Sequence, residues 1–64
     1  MTPEEFKALR IKLGLNQTEL AREWGITDRS IRRYEAGDAP VPPIAAYSLR
    51  MMLRLMHLII EGTL

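Results

Sequence analysis

The stretch from Leu15 to Gly37, LNQTELAREWGITDRSIRRYEAG, constrains the chain most, because two helix starts and two helix stops fall inside it. Asn16 is a favoured N-cap residue, and Glu19 follows it at the spacing of a capping box, in which each side chain satisfies a backbone N–H of the other. Leu20, Ala21 and Trp24 form the inner face of that helix. Gly25 makes the turn, and Thr27 caps a further helix predicted to run to about Ala36, where Gly37 can adopt the left-handed conformation that stops it. Two short helices around so tight a turn cross steeply, at roughly 90–120°. A small residue at Ala21 lets them approach. Ile26 is expected to fold back into the core.

Charge is placed unevenly on the second of these helices. Ile31 and Tyr34 lie three apart and point inward, whereas Arg29, Arg32 and Arg33 stand at i, i+3 and i+4 on the opposite, outward face. Like charges on one exposed face repel in water. A purely structural role has to tolerate that repulsion; a surface that meets phosphates and base edges uses it. The net charge is only +1, so the signal lies in placement rather than in the total. Residues 29–33 hold all three of these arginines, whereas Glu4, Glu5, Glu19, Glu23 and Glu61 lie elsewhere, so a modest dipole can point a positive face at phosphate.

The flanking segments read as supports. Thr2-Pro3-Glu4-Glu5 combines a cap, a proline suited to the first helical position and a capping-box glutamate, so a helix begins at about residue 3. Phe6, Leu9 and Leu13 make its buried stripe, Lys7 and Lys12 stay in water, and Gly14 ends it. After Gly37, Pro40, Pro42 and Pro43 impose an extended connection and then open a last helix, predicted from about Pro43 to Glu61, roughly 28 Å long. Its polar residues Arg50, Arg54, His57 and Glu61 fall at i, i+4, i+7 and i+11, a single narrow stripe. The rest is apolar, far more than a small core can cover, and such a surplus marks a partner surface. The polar stripe is expected to keep this helix short of a membrane span.

A chain of 64 residues makes one domain and buries only about 60% of the surface its unfolded form exposes, so outside support is expected. With no cysteine and one histidine, neither a disulfide nor a metal site can supply it, and oligomerisation is the expected route. The same inventory, without a Gly-rich phosphate loop or paired carboxylates in a cleft, gives catalysis no footing, and no cofactor is expected. MTPEEFKALR lacks a basic segment followed by an apolar one, which points to a cytoplasmic protein. His57 is either a pH-sensitive group or a solvated or interface histidine. The methionines suit adaptable packing.

Asn16-Gln17-x-Glu19-Leu20-Ala21 followed by Gly25-Ile26-Thr27-x-x-Ser30-Ile31-x-x-Tyr34-Glu35-x-Gly37 resembles the helix-turn-helix of the phage repressor and Cro family, also called the Xre family. With Leu9-Arg10 and Gly14-Leu15 the resemblance covers about residues 6–37, roughly half the chain. It implies an all-α, lambda-repressor-like domain of about four helices occupying residues 1–64, with the helix-turn-helix at about 16–37. The family usually has five helices; here one long apolar helix, about 43–61, takes the place of the last two. In that respect the chain resembles small phage or mobile-element regulators and some antitoxins, including anti-CRISPR-associated repressors, that dimerise through C-terminal helices.

The resemblance implies double-stranded DNA as partner, with Gln17 touching a phosphate and bracing the start of the recognition helix, and Thr18 adding backbone donors beside it. Thr27 acts as a cap alone or as a cap lying against the sugar-phosphate chain. Asp28, Arg29, Ser30, Arg32 and Arg33 form the exposed front. Arg29 and Arg33 are the expected base readers, because a guanidinium can donate two parallel hydrogen bonds to guanine O6 and N7; Arg32 either reads or grips phosphate. Asp28 either accepts from cytosine N4 or only favours the helix N-terminus by its charge. Arg10 and Glu35 are expected to pair, as the family's equivalent positions commonly do. Met52, Leu55, Met56, Ile59 and Ile60 are the expected homodimer contact, and a different protein partner is the alternative if the chain is antitoxin-like.

Overall fold

A computed structural model describes residues 1–62 of the chain, which form four helices: α1 (Pro3–Lys12), α2 (Gln17–Trp24), α3 (Asp28–Ala36) and α4 (Pro43–Glu61). Local chemistry sets these boundaries. Thr2 and Asn16 each close a full capping box, with Glu5 and Glu19 respectively. Thr27 accepts from the Ser30 N–H, and α4 starts on prolines without a side-chain cap. Gly25 and Gly37 end α2 and α3 in the left-handed region, at φ 68° and 81°. At Gly25 an added Cβ would meet nothing within 4 Å, so glycine is required there by the backbone alone and not by crowding.

The core is small and built around Phe6. Phe6, Leu20, Ile31 and Leu49, one from each helix, are fully buried, and Ala21 and Ala45 fill the space between them. Each large side chain among them contributes about 1.5–3 kcal/mol by leaving water. Trp24 and Tyr34 meet the Phe6 ring edge-on, at centroid distances of 6.1 and 5.7 Å. Ala21 is 3% exposed where α2 crosses α3, as a close crossing requires. Ile26 does not join this core. It is 39% exposed and lines an open groove with Trp24, Tyr34 and Ile44.

Only the N-terminal half of α4 belongs to the globule. Ala45, Ala46 and Leu49 are buried and Met52 packs against the core, which α4 reaches mainly through α1. Met52, expected at a dimer contact, is thus partly buried within the monomer. Further along, Leu55, Leu58, Ile59 and Ile60 are 55, 54, 62 and 72% exposed, and Ile44 and Tyr47 are bare on the flank. The projecting helix stretches the molecule to 40 × 21 × 17 Å.

By length and composition α4 reaches the range of a membrane span, against the expectation that its polar stripe keeps it short of one. Position argues against a span more strongly than composition does. Arg50 and Arg54 flank the midpoint of α4, where an arginine costs about 2.5–3.5 kcal/mol in a bilayer.

Candidate nucleic-acid interface

The outward face of α3 is prepared from behind. Ile31 anchors it with no exposure at all, Tyr34 packs on Phe6, and Glu35 ties its last turn to the rest of the chain. Arg10 Nε donates to Glu35 Oε2 at 2.6 Å and Arg10 Nη2 to Glu35 Oε1 at 3.0 Å, a two-bond fork with side-chain exposures of 9% and 5%. The third nitrogen, Nη1, donates to the Leu15 carbonyl at 2.9 Å, so Arg10 also holds the α1–α2 connection. Burial pushes the Glu35 carboxyl up, but hydrogen bonds from Arg10 and Gln17 and the guanidinium charge outweigh it and hold the pKa below the ordinary value.

Gln17 belongs to this network. Its Nε2 donates to Glu35 Oε1 at 3.1 Å, so it braces α3 near the end of the helix and not at its start, as the resemblance implied. Thr18 beside it is exposed. No local spacing in the sequence signals either the Gln17–Glu35 bond or the Arg10–Leu15 bond, since each forms only when separate segments meet.

At the start of α3, Thr27 Oγ1 accepts from the Ser30 N–H at 3.3 Å, and the two hydroxyls lie 3.1 Å apart. Thr27 therefore serves as the cap, with Ser30 half-buried against it. Arg29, Arg32 and Arg33 are all exposed. They are not equivalent. Arg32 Nη1 donates to Asp28 Oδ2 at 2.8 Å across one turn, whereas Arg29 and Arg33 make no side-chain hydrogen bond or ion pair among the described residues. The face thus presents two unengaged guanidinium groups and one neutralised pair. On α4, His57 Nδ1 lies 3.6 Å from Glu61 Oε1, both well exposed and on the polar stripe.

No group of three or more metal-ligating side chains occurs among the described residues. What the α3 face offers is donors. Guanidinium forks can grip phosphate oxygens or pair with the O6 and N7 of guanine, and a helix of this width fits the major groove of duplex DNA. A helix-turn-helix family model, HTH_3, matches residues 6–50, from the Phe6 anchor through α3 and into α4. Neither a curated protein nor a solved structure matches the chain.

Proposed function

The chain belongs to the Xre-like helix-turn-helix family of DNA-binding transcription regulators, and we propose that it is a homodimeric, sequence-specific repressor acting in the cytoplasm. In this reading α3 enters the major groove. Arg29 and Arg33 read base edges, Arg32 works beside them with Asp28, Gln17 and Thr18 sit along the phosphates, and Thr27 and Ser30 hold the front turn against the backbone. The observation that carries the proposal is the contrast within α3: a fully buried Ile31 behind, and unengaged Arg29 and Arg33 in front.

Two copies joined through α4 would place their recognition helices in successive major grooves, about 34 Å apart, on a pseudo-palindromic operator. The exposed Leu55, Ile59 and Ile60, with the half-buried Met56, support α4 as the dimer element. Met52 would contribute from the core side. Footprinting upstream of the protein's own gene tests for an operator and for autoregulation. Arg33→Ala is expected to weaken operator binding more than random-DNA binding, and raising salt from about 50 to 200 mM should weaken both steeply. Equal losses on the two DNAs would remove Arg33 from the base-reading set.

The same bare α4 surface supports a second reading, in which the chain is an antitoxin or adaptor whose last helix binds a different protein. A chain that sediments as a monomer and protects only a single half-site would favour it.

A further inference from the structure

Of the three arginines on the α3 face, one is held by an acid of the same helix. Asp28 does not cap α3, since Thr27 does. Its carboxylate instead runs along the surface to Arg32 at 2.8 Å, with side-chain exposures of 42% for Asp28 and 54% for Arg32. Asp28 Oδ1 and Arg32 Nε and Nη2 make no other hydrogen bond among the described residues. The pair therefore keeps an open acceptor beside open donors.

An acid on a surface that approaches phosphates is unfavourable unless something offsets it. Here the offset comes from within, and it removes Arg32 from the set of free cations. Resting on the DNA-reading function proposed above, we infer that Asp28 is a positioning residue that sets sequence discrimination. It withholds Arg32 from the phosphate backbone and turns it toward a guanine, leaving its own free oxygen for the N4 amino group of a neighbouring cytosine. In water an exposed pair at this spacing is weak. Where the helix displaces bulk water from the groove the effective dielectric falls and the same contact tightens, so the constraint acts where the bases are read.

Neutralising Asp28 should therefore improve binding to non-operator DNA and at the same time blunt discrimination. A duplex recovered by wild-type selection from a random library and a scrambled duplex are titrated at several salt concentrations with wild type, Asp28→Asn, Asp28→Glu and the double variant Asp28→Asn/Arg32→Ala. In Asp28→Asn the freed Arg32 reaches a phosphate. Scrambled-DNA affinity is expected to rise about threefold or more, and the slope of log affinity against log salt to steepen by about 0.9. Discrimination between the duplexes should drop by about 5- to 150-fold, the loss of one good bidentate base contact. Asp28→Glu, which can still reach Arg32, should retain the wild-type slope, and the double variant should return scrambled-DNA binding to the wild-type level while discrimination stays low.

Melting temperatures read for every variant separate these effects from misfolding, because the Asp28–Arg32 contact lies on the surface of α3 and loss of an acid from a helix's first turn costs little stability. An Asp28→Asn protein with wild-type slope and wild-type discrimination overturns the inference while leaving the DNA-reading function intact. A wild type that selects no sequence overturns that function and this inference together.

Discussion

Glu35 accepts three side-chain hydrogen bonds, two from Arg10 and one from Gln17. It joins α1 through Arg10, α2 through Gln17, and the α1–α2 connection indirectly through the Arg10 bond to Leu15. Removing its charge leaves a guanidinium 9% exposed without its counterion, a loss of about 3–5 kcal/mol. A single core in a chain this short rarely supplies more than about 3–5 kcal/mol. Glu35→Gln is therefore expected to be partly unfolded at ambient temperature, which circular dichroism against urea measures. The pH dependence follows from the same group. A carboxyl whose folded pKa lies below its ordinary value of 4.5 stabilises the fold fully above that value, and the contribution disappears as pH falls through the lower, folded one. Wild type should lose stability on acidification below about pH 4.5, and Glu35→Gln should show a shallower decline.

At the scale of the element, most of what is seen was readable in advance, because caps and glycines act within three or four residues. Asn16 with Glu19 and Thr2 with Glu5 give their helix starts without reference to anything distant. Gly25 offers a clean measurement of this local logic. Since an added Cβ there meets nothing within 4 Å, Gly25→Ala should cost about 1–2 kcal/mol through backbone conformation alone. Gly25→Asn should cost less, because asparagine tolerates the left-handed region better. Equal losses in chemical denaturation would mean that the turn is limited by something other than φ. Ile26 shows where local logic ends. Its apolar side chain suggests the core, but the core closes around Phe6 with Trp24 and Tyr34, whose meeting no short window reveals, and Ile26 stays 39% exposed beside them.

For the molecule as a whole, α4 is the unbalanced part. Its first half completes the core through Ala45 and Leu49, and its second half leaves apolar side chains in water, a cost that association removes. Leu55→Glu should convert a dimer into a monomer in sedimentation, with operator affinity falling and monomer melting little changed. Met52→Glu should instead lower the melting temperature, because Met52 packs against the core. If Leu55→Glu leaves the sedimentation of a dimer unchanged, Leu55 is not part of the contact.

The amino-acid order by itself determined four helices, their ends, the inward positions of Phe6, Leu20 and Ile31, and an arginine-bearing outward face on α3. These depend on periodicity and on hydrogen bonds between near neighbours. Tertiary packing settled engagements that join different segments of the chain: Gln17 by Glu35, Arg10 by the Leu15 carbonyl, and Met52 by the core. The Asp28–Arg32 contact spans one turn of α3, and the spacing puts it within reach while a rotamer choice makes it. Sequence fixes which partners are within reach along a helix; only packing brings distant segments together and leaves Arg29 and Arg33 without one among the described residues.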